Sequence, residues 1–461
     1  MPERKRVAVL ADSDTRWKWG ALTARRLVPD HQLTGFLLRG RATPTARQLG
    51  EVGVRADRLS EVTCAEFLAE IERERYDVVV LALVGGAVQA VLHGARALWP
   101  DPARRPVLVT GYVGVVYEKL ADGLLLRHGA DLVLANSRHD AERFRAVYEG
   151  VGADASAVTE TALPFLGGAP YEPAGSRAHT VVFAVQPSVP DSRADRAYLL
   201  ERAAGHARLH PGREVLIKLR SRPGEHTTHL EEQPYQRLAE RIPGGLPANC
   251  RLVYGNMGEV LDGTDLLVTV SSTAALESLH RSIPTAVLTD LGIREALGNH
   301  HFLGSGCLAS WDQIDSGLLP EGDPVWLAAQ GVLPAQGGPA VQDGLPAQGG
   351  PAAQGAGPAA GADAYAYAVA RAKVAALVAA TRLPAPAPYY TRTTAPGYLP
   401  GILARHHLAP DGTPLPGAVR PAAGESRLRR RLRAHLREAA RGAYRHGVQR
   451  VAPVIRRLGE L

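Results

Sequence analysis

The fold is decided by Asp265-Leu-Leu-Val-Thr-Val-Ser-Ser-Thr-Ala-Ala-Leu-Glu-Ser-Leu-His-Arg-Ser-Ile-Pro-Thr-Ala-Val-Leu288. An apolar run, Asp265–Val270, reads as a buried strand. Two serines and a threonine follow, a helix runs over Thr273–His280, and a second apolar run, Thr285–Leu288, reads as the next strand. Strand, loop, helix and strand in so few residues require a parallel crossover, because antiparallel neighbours need only a short turn. The same rhythm extends toward the N-terminus of this stretch: strand Thr180–Ala184, helix Asp195–His210, strand Glu214–Lys218, helix Leu230–Arg241 and strand Arg251–Tyr254. Further back, strands are expected at Val7–Ala11, Asp77–Leu83, Pro106–Thr110 and Asp131–Ala135. Between them lie amphipathic stretches at Arg16–Leu27, Cys64–Arg75, Ala87–Leu98, Glu118–His128 and Arg138–Tyr148. A Gly/Pro-rich joint, Leu166–Ser176, separates the two series. The expected architecture is α/β, with two Rossmann-like domains, 1–165 and 176–325, whose strand C-termini face a common cleft.

Composition narrows the function classes. The 461 residues are 45% hydrophobic and 21% charged, enough for two ordinary cores. The net charge of +7 is local: residues 425–461 carry eleven arginines and three glutamates, so the rest of the chain is close to neutral. That tail reads as a basic amphipathic helix suited to an anionic membrane surface, or alternatively as a helix packed on the body. Aromatics are 5% and not interleaved with basic residues, so no nucleic-acid platform is expected. The three cysteines, Cys64, Cys250 and Cys307, form no CxxC pair, and no histidine stands at metal spacing, so neither a disulfide framework nor a metal site is expected. No run reaches the roughly 18 apolar residues of a membrane span, and the N-terminus lacks a secretory pattern; the expectation is a cytoplasmic protein, peripheral on the membrane at most. Residues 328–362 collapse to Ala, Gly, Pro and Gln with a repeated Leu-Pro-Ala-Gln-Gly, which reads as a disordered linker, and a helix resumes over 364–381.

The candidate site residues lie at expected strand ends. Ser271, Ser272 and Thr273 present hydroxyls and backbone N–H groups where an anion would bind, though either serine would also serve as a plain helix cap. Glu277, one turn on, could accept from a ribose diol, and Asn256-Met257 at another strand-to-helix turn could border a base. Lys218 and Arg220 emerge at the end of a buried strand and could neutralise a diphosphate, with Glu225, His226 and His229 in the loop behind them. Solvated loop cations are the plainer alternative. In the first domain Asp12-Ser13-Asp14 follows the first strand, where either carboxylate could serve as a general base or merely cap a helix. Gln186, Gly111 and Tyr112 complete the strand-end set.

Several of these segments resemble a known family. Val181-Val-Phe-Ala-Val-Gln-Pro, Leu216-Ile-Lys-Leu-Arg, Gly224-Glu-His-Thr-Thr-His and Thr269-Val-Ser-Ser-Thr-Ala-Ala-Leu-Glu are similar to an uncharacterised actinobacterial glycosyltransferase family, as are Thr110-Gly-Tyr-Val-Gly-Val and Asp131-Leu-Val-Leu-Ala-Asn-Ser. The resemblance covers about residues 5–320 and implies a GT-B fold without a substrate. A more distant resemblance is to bacterial sialyltransferases and capsule-polymer transferases, whose phosphate-binding Ser-Ser pair Ser271 and Ser272 match. Their His-Pro motif has no counterpart after the strand, where Lys218-Leu219-Arg220 stands, and Asp122-Gly123 sits in an expected helix rather than in their acidic motif. Compared with retaining GT-B enzymes, Glu277 fits the ribose-binding glutamate, but Thr269 stands where an acidic partner would.

The reading is a metal-independent glycosyltransferase that uses a nucleotide-sugar co-substrate, CMP-sialic-acid-like or NDP-hexose, and no other cofactor. Its acceptor would be a glycan or lipid-linked chain of the cell envelope. A polyol-phosphate transferase of teichoic-acid type needs the same phosphate site. A non-enzymatic scaffold acting through the basic tail is the third reading.

Overall fold

The computed structural model describes residues 4–40, 42–115, 119–222, 225, 231, 233–332 and 366–418. Its first sheet holds β1 (Lys5–Ala11), β2 (His31–Leu38), β3 (Arg58–Val62), β4 (Val78–Ala82), β5 (Val107–Gly111), β6 (Leu132–Ala135) and β7 (Val158–Glu160). The order is β3-β2-β1-β4-β5-β6-β7, and every pairing is parallel. The second sheet holds β8 (His179–Ala184), β9 (Arg213–Lys218), β10 (Cys250–Val253), β11 (Leu266–Thr269), β12 (Thr285–Leu288) and β13 (Leu308–Ala309). Its order, β10-β9-β8-β11-β12-β13, is again all parallel. Each sheet therefore winds outward from its first strand in both directions, and the expected pair of Rossmann-like domains is what forms.

Helices cover both faces, which is why the central strands read as unbroken apolar runs; Val7, Ala8, Val9 and Leu10 are all completely buried. The crossovers used below are α1 (Asp14–Leu27), α2 (Ala46–Val52), α4 (Gly85–Leu98), α5 (Leu120–Leu125) and α6 (Arg138–Gly150) in the first domain. In the second they are α7 (Arg193–Leu209), α9 (Met257–Leu261), α10 (Ala274–His280) and α11 (Trp311–Asp315).

Sequence periodicity missed four strands. β2 carries Gly35 in its middle, and a Cβ there would come within 2.6 Å of the Trp17 ring, so the strand is thinned to admit the indole. β3 is a polar edge strand, and β7 and β13 span only three and two residues. α2 was missed with β2. The helix expected at Leu230–Arg241 is described only as Tyr235–Ala239. It starts after Pro234, whose fixed φ of −65° precedes the first turn. The helix expected at Glu118–His128 is likewise described only as Leu120–Leu125.

The joint between the sheets is fastened by Arg281. Its Nε donates to the Gly167 carbonyl at 2.8 Å and its Nη1 pairs with Asp262 Oδ1 at 2.6 Å. Gly168 adopts φ +102° against that guanidinium, leaving no room for a Cβ. The chain then returns to the first domain. Tyr367 OH donates to the Ala162 carbonyl at 2.6 Å, the helix Ala368–Ala379 packs on α1, and Leu399–Arg405 packs on α4. Arg105, buried and paired with Asp131 at 2.7 Å, also donates through its Nε to the Pro384 carbonyl and secures this strap. One apolar cluster runs through both domains, taking in Val9 and Trp19 on one side and Leu267 and Ala275 on the other. The linker expected over 328–362 and the tail over 425–461 lie almost wholly outside the described residues.

Candidate active site at the interdomain cleft

Loops from the C-terminal ends of both sheets meet across the domain boundary. After β11, Ser271 is committed to structure: its N–H donates to Gln186 Oε1 at 3.0 Å and its hydroxyl donates to the Leu297 carbonyl at 2.6 Å. Ser272 takes the helix-capping role, its Oγ accepting the Ala274 N–H at 3.2 Å. Thr273 makes no side-chain cap bond, and its Oγ1 faces Gly114 of the first domain, 3.7 Å from where a Cβ would stand. α10 has only seven residues, so hydroxyls and nearby cations, rather than a long helix dipole, would have to hold an anion here.

The cations arrive from both domains, and every one is already paired. Arg220 reaches across to Asp14 Oδ1 at 2.6 Å and also bonds the Thr15 hydroxyl. Lys18 Nζ lies 3.5 Å from the buried Glu277 carboxylate and over the Phe165 ring. Arg47 holds Glu225 in a two-pronged pair and Glu51 at 2.5 Å. Lys218 is buried at the centre and donates to the Leu219 carbonyl at 2.7 Å. Burial pushes its ammonium down to about 8, Arg220 and Arg47 adding to the effect and Glu51 and Glu277 opposing it. Asn256 caps α9 and donates to the Glu51 carbonyl at 2.9 Å, with Met257 half-buried behind it. His226 and His229 lie outside the described residues.

On the first-domain side, Asp12 accepts from Arg16 at 2.9 Å and from the Val84 N–H at 2.9 Å, and Ser13 caps α1. Burial favours the neutral form of Asp14, but Arg220 more than offsets this and holds the carboxyl below its ordinary range. Gly111 serves packing: a Cβ there would meet the Leu134 carbonyl at 2.8 Å and the Trp19 ring at 2.9 Å. Tyr112 stacks under the buried Arg127 guanidinium, which donates to the carbonyls of Leu83, Gly111 and Gly123.

Residues 7–343 match the family described as "Putative glycosyltransferase (DUF6716)". The chain belongs to this family. No curated protein matches the sequence. Among solved structures, the chain is similar to UDP-N-acetylglucosamine 2-epimerase from Rickettsia bellii. Identity is 12%, the match covers 82% of this chain and 97% of that one, and the TM-score is 0.48. It is similar also to the spinosyn rhamnosyltransferase SpnG, at 14% identity over 81% of this chain and 96% of that one with TM-score 0.41. A third is UDP-GlcNAc 2-epimerase from Neisseria meningitidis bound to UDP-GlcNAc, at 10% identity over 68% and 90% with TM-score 0.44. At these scores the likenesses carry no argument about chemistry.

At this cleft the sequence points to Lys218, Arg220 and Glu277 but not to Arg47, Glu51 and Thr45. All three belong to the unassigned β2–α2 segment, whose only local signal is the Thr45-x-x-Gln48 capping box. It also missed His406, which the strap brings within electrostatic reach of Asp12. One His/Asp grouping, His206, His210 and Asp315, corrects the expectation that no histidines stand at metal spacing. It lies by the N-terminal end of β9, away from the strand ends that meet the cleft. Arg213 donates to His206 Nε2 at 3.2 Å and Arg202 pairs with Asp315 at 3.0 Å, so arginines hold the ligand atoms a cation would need. No helix among the described residues is long and apolar enough to cross a membrane.

Proposed function

We propose that the cleft binds a nucleotide-sugar donor through its phosphates, without a metal, and transfers the sugar to a cell-envelope glycan or lipid-linked acceptor. The observation carrying this reading is the convergence of Lys18, Arg47, Lys218 and Arg220 from both domains near the C-terminal ends of β1, β2 and β9, with Lys18 reaching Glu277 one turn along α10 from Thr273. Phosphate oxygens would take over from Asp14, Glu277 and Glu225 as partners of those cations, and a charge-assisted bond of this kind contributes about 1.5–3 kcal/mol. Glu277, released from Lys18, would accept from the ribose, with Asn256 and Met257 bordering the base. Preformed cations would also stabilise the nucleotide diphosphate as the glycosidic bond breaks and negative charge develops on it.

Attack by an acceptor hydroxyl needs a base on the opposite side of the sugar. The first domain offers Asp12 and Asp14 for that role, and Arg220 holds the Asp14 carboxyl below its ordinary range, which makes it a weak base while that pair lasts. Thermal shift with CMP, CDP, UMP, UDP, GDP and TDP tests the donor site. One nucleotide class should raise the melting temperature in proportion to the logarithm of its concentration, and Ser272→Ala should weaken it about tenfold while the fold is kept. A CMP preference would favour a sialic-acid-like donor and UDP or GDP a hexose. A variant that melts early yet binds with unchanged affinity would remove Ser272 from the site.

A further inference from the structure

The strap that returns from the second domain builds a pocket on the first. Tyr390 and Tyr398, with Lys119 at the start of α5 and Leu120, Ala121 and Asp122 in its first turn, line an open cavity of about 700 Å³. Tyr390 OH donates to Asp122 Oδ1 at 2.8 Å and Tyr398 OH to Oδ2 at 3.2 Å. The two rings stand edge to face, 5.4 Å apart at 83°. The Tyr390 backbone is fixed from below: buried Gln89 donates to its carbonyl at 3.3 Å, and His93 Nε2 bonds the same oxygen at 2.9 Å. Tyr398, by contrast, is 43% exposed.

From this geometry we infer that the pocket is a carbohydrate subsite that takes a pyranose ring of the acceptor chain, away from the reacting end. The proposal rests on the glycosyltransferase reading. Three observations favour a sugar. An aromatic face beside a carboxylate and an ammonium matches a pyranose, which presents C–H groups on one face and hydroxyls around its rim. Asp122 accepts one phenol on each oxygen, and a carboxylate has about four acceptor positions, so two remain for sugar hydroxyls. The lining offers only Leu120 and Ala121 as purely apolar side chains, too little to bury an acyl chain. Elements near the pocket also border the cleft: Gly114, three residues past β5, stands opposite Thr273, and His406, which follows the helix Leu399–Arg405, is within electrostatic reach of Asp12. Residues 390 and 398 lie beyond the family match, which ends at 343, so this subsite would be a specificity element particular to the strap.

The test is saturation-transfer NMR on the full-length protein with methyl β-glucoside, methyl β-galactoside, methyl N-acetyl-β-glucosaminide and methyl α-mannoside. UDP, GDP and CMP are titrated alongside. At least one glycoside should bind with its C–H face saturated. Tyr398→Ala and Lys119→Ala, both at exposed positions, should each weaken it at least fivefold without changing nucleotide affinity or melting temperature. Tyr398→Phe, which keeps the ring, should retain most of the binding. Nucleotide binding without glycoside binding would overturn the subsite and leave the transferase reading standing; glycoside binding without nucleotide binding would do the reverse. Glycoside binding that survives both truncations would overturn the subsite. So would octyl glucoside binding far more tightly than methyl glucoside in a Tyr398-dependent way, since the occupant would then be an alkyl chain.

Discussion

The two sheets share one winding order, so the turn after β4 and the turn after β11 are topological equivalents, and they are built from opposite chemistry. After β4 come Leu83, Val84, Gly85 and Gly86, with no side-chain cap on α4. The protein fills that turn itself: the Asp12 carboxylate takes the Val84 N–H and the Arg127 guanidinium takes the Leu83 carbonyl. After β11 come Ser271, Ser272 and Thr273, where one hydroxyl is tied to structure, one caps the helix, and the Thr273 hydroxyl has no hydrogen bond among the described residues. One turn is closed by the protein's own carboxylate and guanidinium; the other leaves the Thr273 hydroxyl open, at the start of the helix whose Glu277 pairs with Lys18. On the proposal above, the same scaffold position serves stability in one domain and ligand binding in the other, a difference set by the residues on it.

The largest effect that would sharpen this contrast is expected at Lys218. Lys218→Met should cost nucleotide affinity about 2–3 kcal/mol, roughly thirty- to 150-fold, by titration calorimetry. The fold should be no less stable, because a buried charge is removed rather than a packed side chain. The pH dependence follows from its ammonium, depressed to about 8 by burial. Nucleotide affinity should hold below pH 8 and fall above it as the charge is lost. With the folded value below the ordinary 10.5, the unfolded chain binds more protons between these limits, so this group's contribution to stability rises as pH climbs from 8 toward 10.5. Lys218→Met should remove both trends.

Gly85→Val tests the other turn. A Cβ at Gly85 would stand 2.8 Å from Leu126 Cδ1, so about 1–3 kcal/mol of stability should be lost in denaturant melts, with nucleotide affinity per folded molecule unchanged. Loss of affinity there instead would make the glycine turn part of the ligand site and break the comparison. The smallest effect is expected at Asp14. Asp14→Asn releases Arg220 and should tighten nucleotide binding by a few-fold, while a large fall in turnover with that tightening would assign Asp14 as the base.

Much of the fold was legible because buried parallel strands are continuous apolar runs; β1, β4, β5, β8, β11 and β12 could be read directly. β2 could not, since its centre is a glycine shaped by Trp17, and with it went α2 and the cations it carries. The candidate site was legible on the second domain, where Lys218, Arg220 and the Ser-Ser-Thr turn stand at strand ends. Asp14 was legible at the end of the first strand, but its pairing with Arg220 was not, nor were the roles of Lys18, Glu51 and Arg47, because these groups meet only when the domains face each other, and a single sequence holds no signal for pairing between residues some 200 positions apart. The strap was unreadable for the same reason: Tyr390 and Tyr398 meet Asp122 only through the return of the chain to the first domain.

The most direct test of the central claim is calorimetric titration of CMP, CDP, UMP, UDP, GDP and TDP into the full-length protein at low and at high salt, with Lys218→Met beside it. The account predicts saturable binding of one nucleotide class, weakened by salt as screening of the cleft cations requires, and lost in the variant. No saturable binding, or binding that Lys218→Met leaves untouched, would contradict it.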